Sequence, residues 1–181
     1  MSRGLGDVYK RQNKKVYLGG NRLFTTRDGG ISWQRTDDLT KNINRDSLEI
    51  MGVLGADIKL SKNDGTSTFG EIISISESPI TKKEVWIGTD DGNVQLTRDD
   101  GRTWAEVSQN ILGLPENAYV SRVLASRQGR GHAYVTFDRH REGDWSPYVY
   151  KTEDFGKNWK SLSADLPSGS INVIVEHPDN H

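Results

Sequence analysis

The chain has 181 residues, of which 33% are hydrophobic and 27% charged, and its formal net charge is −1. Because acidic and basic residues are interspersed, the composition excludes the clustered basic face that nucleic acid or an anionic membrane requires. No run approaches the roughly 18 apolar residues of a membrane helix. The sequence has no cysteine, which excludes disulfides, thiolate zinc sites and cysteine nucleophiles.

The first twelve residues, "MSRGLGDVYKRQ", match none of the patterning downstream and lack the apolar core of a signal peptide. We interpret residues 1–12 as a non-native leader. Residues 13–37 then hold two β-rich runs, a polar turn between them and a further short run, which predicts strands B, C and D of a partial blade. Residues 38–69 form a long, polar connection, in which Arg45–Val53 is the one candidate for a short helix.

Residues 70–109 and 110–166 each repeat the same pattern with a further β-rich run in front, "EIISISESP" or "YVSRVLASR". They are predicted to be complete units of four strands, A to D. Residues 167–181, which contain "INVIVEHP", are predicted to hold the first strand of the next unit. Four-stranded units that repeat about every 40–55 residues are typical of a β-propeller. We therefore expect an all-β fold, an open β-propeller fragment of about three antiparallel blades. Since propellers close with about four blades or more, the chain is expected to belong to a longer one.

Three octets are the most specific feature: "TRDGGISW", "TRDDGRTW" and "TEDFGKNW". Each falls between strands C and D, where a tight turn explains its fixed residues. The aspartate can accept backbone N–H groups, the glycine supplies positive φ, and the tryptophan can cover the hairpin. We interpret the octets as structural rather than catalytic or metal-binding; their fixed residues are Thr26, Asp28, Gly30, Trp33, Thr97, Asp99, Gly101, Trp104, Thr152, Asp154, Gly156 and Trp159.

The octets resemble Asp-boxes, the bacterial neuraminidase (BNR) repeat of sialidases and sortilin-type propellers. A broader resemblance covers nearly all of residues 13–181, through "IGTDDGNVQLTRDDGRTW", "NILGLPENAYVSRVLASR" and "SADLPSGSINVIVEHPDN". These strings are similar to the sortilin-type N-terminal propeller region of large proteins often labelled "glycosyl hydrolase". The resemblance implies that the octets lie on the outer rim, away from the ligand face. It also implies an extracytoplasmic or secreted protein.

If the C–D turns lie at one face, the B–C turns lie at the opposite one, where propellers usually bind ligands. Asp90 and Asp91 follow strand B of the second unit and could form a carboxylate pair for glycoside hydrolysis. The alternative is that "DDG" is simply a hairpin turn. Asp57 and Asp144 are the other carboxylates that a catalytic pair between blades could use.

The B–C turn of the third unit, Asp138–Pro147, is unusually long, because Tyr134 precedes Trp159 by 25 residues whereas Trp86 precedes Trp104 by 18. It contains His140, Arg141, Asp144 and Trp145. Trp145 could stack on a sugar ring while its charged neighbours bind hydroxyls. The alternative is that Trp145 and Tyr148 fill a gap between blades while the charges face water.

No histidine spacing or acidic loop indicates a metal site, and no cofactor is expected. The main functional hypothesis is a propeller segment that recognises a glycan or a protein, or acts as a scaffold, without a demonstrable catalytic site. Its partners would be that unidentified ligand and the rest of its own propeller, with no nucleic acid and no membrane insertion. The alternative is part of a glycoside hydrolase, sialidase-like or xyloglucanase-like, acting on polysaccharide.

Overall fold

The computed structural model describes residues 14–50, 52–58 and 70–177. Residues 1–12, predicted to be a non-native leader, lie outside the described part. The strands run in chain order as β1 (Val16–Gly19), β2 (Leu23–Thr26), β3 (Gln34–Arg35), β4 (Glu49–Ile50), β5 (Val53–Leu54), β6 (Ile72–Glu77), β7 (Val85–Thr89), β8 (Val94–Thr97), β9 (Ala105–Glu106), β10 (Tyr119–Ala125), β11 (Ala133–Arg139), β12 (Asp144–Thr152) and β13 (Lys160–Ser161).

These strands form three principal antiparallel sheets, each built from neighbours in sequence. Sheet 1 has the order β1-β2-β3, sheet 2 the order β6-β7-β8-β9, and sheet 3 the order β10-β11-β12-β13. Consecutive antiparallel strands joined by short turns, repeated along the chain, are the architecture of propeller blades. The all-β prediction of an open array of antiparallel blades is confirmed.

The connection between sheets 1 and 2 contains a 3₁₀ turn at Arg45–Ser47, the two-stranded hairpin β4-β5 and a second 3₁₀ turn at Gly55–Asp57. Further 3₁₀ turns lie at Ser108–Asn110 and His140–Glu142. The candidate helix at Arg45–Val53 is therefore a 3₁₀ turn followed by a hairpin. Gly52, at φ 79°, lies between the two strands and has the backbone conformation that a tight turn needs.

The core lies between the sheets as well as on their faces. Trp86 and Phe137 are fully buried in a cluster that also contains Val107, Val120 and Val135, so sheets 2 and 3 share one apolar interior. A second cluster packs Leu23 and Leu39 of the first unit against Ile72, Val85 and Ile87 of sheet 2. Hydrophobic burial across both joints between sheets therefore holds the blades side by side.

Hydrogen bonds between serine side chains and main-chain amides join β6, the first strand of sheet 2, to β10, the first strand of sheet 3. Ser74 and Ser76 of β6 each accept a hydrogen bond, from the amides of Val123 and Ala125 in β10, at 2.9 Å and a separation of 49 residues. The segment 171–177 lies beside β10 in a similar way. Ser121 donates to the carbonyl of Ile171 at 2.6 Å, and Ser126 donates to the carboxylate of Glu176 at 2.6 Å. No strand pairing is formed within 171–177, and its assignment as a first strand remains a prediction.

Candidate ligand-binding face

The B–C turns, which join the second and third strands of each blade, define one face of the array, here called the B–C face. In sheet 3 this turn is a short structured segment: β11 ends at Arg139, His140–Glu142 form a 3₁₀ turn, and β12 begins at Asp144. Gly143, at φ 74°, reverses the chain between them. The predicted long loop is therefore an ordered extension of the hairpin.

Asp138 is the residue that organises this turn. Its side chain is only 7% exposed and accepts the backbone N–H of His140 at 2.9 Å, an Asx-type arrangement. Its second oxygen lies 2.6 Å from Nδ1 of His140. Burial alone would raise the pKa of Asp138, but the hydrogen bonds to its carboxylate outweigh burial and lower the pKa overall. An ionised Asp138 requires the proton on Nδ1 of His140, so that in the neutral imidazole Nε2 is the acceptor.

Trp145 stands next to this pair with its side chain exposed and its backbone fixed. The residue is 56% exposed, and the centre of its ring system lies 6.0 Å from that of the His140 ring. Its carbonyl accepts the amide of Gly169 at 2.7 Å and the hydroxyl of Ser168 at 3.1 Å. The turn after sheet 3 therefore holds the Trp145 main chain in place while the indole remains available to a ligand.

Asp144 and Arg141 occupy different surroundings within the same turn. Asp144 accepts the hydroxyl of Tyr148 at 2.7 Å and the amide of Ser146 at 2.9 Å. The hydrogen bond from Tyr148 is the main reason that the pKa of Asp144 is lowered. The Arg141 guanidinium lies 5.4 Å from the centre of the Tyr119 ring, a cation–π distance. His140 and Trp145 thus lie against each other, Asp144 directly precedes Trp145 in the chain, and the Arg141 side chain lies over Tyr119 of the first strand of the sheet.

The B–C turn of sheet 2 does not present two free carboxylates. Asp91 is completely buried, accepts the Thr89 hydroxyl, and accepts the amide of Lys41 at 2.6 Å. Asp90 accepts the amide of Glu71 at 2.6 Å, and burial, with the nearby Asp91 charge, raises its pKa. Asp57 is exposed on the connection between sheets 1 and 2. In the described part of the chain, no hydrogen bond or ion pair joins these aspartates to the turn at 138–145.

The three octet turns have the same pattern of hydrogen bonds, formed separately within each turn. In each turn the threonine hydroxyl donates to the aspartate at 2.8 to 3.0 Å and accepts the glycine amide at the same range of distances. A second side chain, four residues after each aspartate, donates to the other carboxylate oxygen. This donor is Ser32, Thr103 or Asn158. These bonds lower the pKa of all three aspartates, that of Asp99 to about 2, chiefly through the bonds from Thr103. Every oxygen of these carboxylates is therefore occupied within its own turn.

The octet tryptophans differ in how deeply they pack. Trp159 is partly buried against the large core and meets Trp86 edge-on, with ring centres 6.2 Å apart. Trp104 packs against the smaller core, whereas Trp33 is 42% exposed. The octet residues lie at the opposite edge of the sheets from Trp145, because the C–D turns alternate with the B–C turns. This position agrees with the structural interpretation of the octets, which remains a proposal.

Two contributors to the B–C face were missed in the sequence. Asp138 was included only as the start of the long turn, and Ser168 only within residues 167–181. The repeat alignment supplies a signal that could have found Asp138, because Asp90 and Asp138 each stand four residues after the equivalent aromatic residues Trp86 and Tyr134. An aspartate two residues before His140 is also an Asx-turn pattern. The contact of Ser168 with Trp145 joins residues 23 positions apart and has no local signature.

The described residues contain no group of three or more histidines and carboxylates placed to hold a metal ion. Nor does any helix among them have the length and apolar character needed to cross a membrane. The fold and the face therefore define a propeller segment whose candidate site consists of an exposed indole, a hydrogen-bonded Asp–His pair and a neighbouring carboxylate.

No family model matches the chain. Two curated proteins are similar to it: the oligoxyloglucan-reducing end-specific xyloglucanase of Emericella nidulans, 27% identical over 141 residues, and the probable enzyme of the same name from Neosartorya fischeri, 28% identical over 176 residues. The alignments cover 74% and 93% of this chain. The chain spans 15% and 17% of the length of those relatives.

Solved structures with the same fold include the GH74 xyloglucanase from Xanthomonas campestris, with a TM-score of 0.53 and 17% identity over 84% of this chain and 19% of that one. Another is YCF48 bound to D1 peptide, with a TM-score of 0.52 and 21% identity over 88% of this chain and 40% of that one. At these identities the similarity shows the fold alone. The chain folds as part of a β-propeller.

Proposed function

We propose that this chain is a segment of a larger propeller protein that binds a glucan-type oligosaccharide on the B–C face of sheet 3. The observation that carries the proposal is Trp145, which combines an indole more than half exposed with a backbone held by Ser168 and Gly169. An exposed indole on an ordered backbone can stack on the C–H face of a sugar ring and loses less conformational entropy on binding than one on a flexible loop. The curated relatives, named for their action on oligoxyloglucan, support a ligand of this class.

The polar groups around Trp145 are suited to hydroxyl ligands. Nε2 of His140 can accept a hydrogen bond, and the Asp144 carboxylate has a lowered pKa and remains an acceptor at neutral pH. The Arg141 guanidinium adds donors at the side of the turn. The proposal also assigns the octets to the Asp-box class and the sheets to a sortilin-type propeller. Export from the cytoplasm follows in the same proposal, since polysaccharides of this class are extracellular.

Replacing Trp145 with alanine in the full-length protein is expected to weaken binding of a xyloglucan oligosaccharide by about 30-fold or more, the loss typical of a central aromatic contact. Isothermal titration calorimetry measures the change. Trp33→Ala is the matched control, because it removes a tryptophan of similar exposure, 42%, from the opposite edge of the sheets. Equal affinity of the Trp145→Ala variant and the parent would contradict the proposal. Binding of no glycan, together with binding of a peptide that is lost in Trp145→Ala, would identify this face as a protein-recognition site instead.

A second candidate is a catalytic contribution to glycoside hydrolysis through Asp90. The observation that favours it is a half-buried carboxyl whose raised pKa suits a general acid, on the same face as Trp145. The partner carboxylate would come from another part of the full-length protein. The Asp90→Asn variant of that protein is then expected to lose about 100-fold or more in the release of reducing ends from xyloglucan. The exposed Asp37→Asn variant is the control, and an unchanged rate for Asp90→Asn would rule this role out.

A further inference from the structure

The two joints between neighbouring sheets differ at the edge that carries the octet turns. In the second joint, between sheets 2 and 3, the octet turn of sheet 3 is packed tightly: a carbon added to Gly156 would lie 2.7 Å from Cβ of Val107. Asn110 donates to the Gly156 carbonyl at 2.8 Å, and the Trp159 indole N–H lies 3.2 Å from the Val107 carbonyl. This joint is closed by side chains.

The first joint, between sheets 1 and 2, is open at the equivalent place. A carbon added to Gly101, the counterpart of Gly156, would meet no atom within 4 Å. Thr36 takes the place of Val107, and Leu39 takes that of Asn110 but is buried in the core of the first unit. The buried indole N–H of Trp104, the counterpart of Trp159, has no partner among the described residues. The result is a groove of about 630 Å³ between β2, β3 and the octet turn of sheet 2.

Positive charge dominates this groove, which Arg27, Arg35 and Arg102 line together with a single carboxylate, Asp100. That carboxylate is already paired twice, with Arg27 at 2.6 Å and with Lys15 at 2.8 Å. Arg35 and Arg102 are exposed, and neither forms an ion pair with another described residue. Two guanidinium groups are therefore left to bind an incoming anion.

The second joint has no such arrangement at the corresponding positions. There Arg98, the counterpart of Arg27, lies 3.9 Å from the centre of the Phe155 ring, and Phe155 takes the place of Asp100. The positive groove is thus specific to the first joint and is not a general property of the repeated turn.

The groove runs along β3, and β3 pairs with β2 on one side only, with no strand on its outer edge in the described part of the chain. A free strand edge offers main-chain donors and acceptors to an extended polypeptide. Acidic side chains on that polypeptide would meet the guanidinium groups, and arginine binds carboxylates with two parallel hydrogen bonds. We propose that the groove between sheets 1 and 2 is a docking site for an extended acidic peptide segment of a partner protein. This site is separate from the B–C face.

The proposal is tested with a fluorescein-labelled peptide of alternating glutamate and valine, which places all its carboxylates on one face when extended. Fluorescence anisotropy with the full-length protein is expected to show binding that weakens as salt rises from about 25 to 250 mM, because exposed charges are screened. The double variant R35Q/R102Q is expected to bind about ten-fold more weakly.

The matched control is R130Q/K157Q. It also removes two positive charges, but from exposed positions in the turns of sheet 3. It should bind the peptide with the affinity of the parent. Equal losses in both double variants would show that net charge alone is responsible and would overturn the proposal, as would no binding by the parent. Binding of an acidic polysaccharide, polygalacturonate, with no binding of the peptide would replace the proposed partner with a glycan.

Discussion

The Trp86→Ala variant is expected to lose about 3–5 kcal/mol of unfolding free energy, the cost of deleting a large aromatic side chain from a packed core. Trp86 is fully buried in the centre of sheet 2, meets Trp159 edge-on and belongs to the cluster shared with sheet 3. The cavity left behind would therefore open at the joint between the two sheets and reduce packing on both sides.

Urea denaturation followed by circular dichroism measures this loss as a shift of the transition midpoint. The control is Leu112→Ala, because Leu112 is 88% exposed and its removal should change stability by less than about 0.5 kcal/mol. A Trp86→Ala variant as stable as the Leu112→Ala variant would show that sheets 2 and 3 do not share a core.

The second large effect is expected at Glu84, a carboxylate that is 1% exposed and joins the same two sheets. One of its oxygens accepts both the indole N–H of Trp86 and the amide of Gly131, each at 3.1 Å. Glu84→Ala would leave two buried donors without an acceptor, at a cost of about 1–3 kcal/mol each. For a domain of typical stability, this is a large part of the total.

Glu84→Gln separates the loss of hydrogen bonds from the loss of charge. The glutamine carbonyl can occupy the position of the oxygen that accepts both donors, so we expect this variant to lose about 1 kcal/mol or less. Thermal and urea unfolding of the two variants, side by side, measure the difference. If Glu84→Gln is as unstable as Glu84→Ala, then the negative charge, rather than the pair of hydrogen bonds, stabilises the joint.

The strand pattern and the octet turns could be predicted because their causes are local. The runs of β-branched and aromatic residues in β7 and β10, and the Thr-x-Asp-x-Gly spacing around Asp99, act within a few residues. Local hydrogen bonds and positive φ at glycine fix such turns wherever they occur in the chain. The same reasoning located the long B–C turn and Trp145.

The features that depend on contacts between blades could not be predicted. Nothing near Glu84 in the sequence indicates that its carboxylate is buried, since one of its two partners, Gly131, is 47 residues away. The burial of Asp91 depends on the main chain of Lys41, which is 50 residues away. Likewise, "TDDG" alone cannot distinguish a catalytic pair from a hairpin. Long-range packing, rather than local propensity, decides which charges remain available.

The hydrogen bonds from β10 to Ser74 and Ser76 have an evolutionary consequence. On the β10 side they use only main-chain amides, which every residue except proline possesses. These two hydrogen bonds therefore place no demand on the side chains of Val123 and Ala125, which are constrained by core packing instead, and the attachment itself depends on the two serines. A blade gained by tandem gene duplication could diverge in sequence at β10 while keeping this attachment to its neighbour.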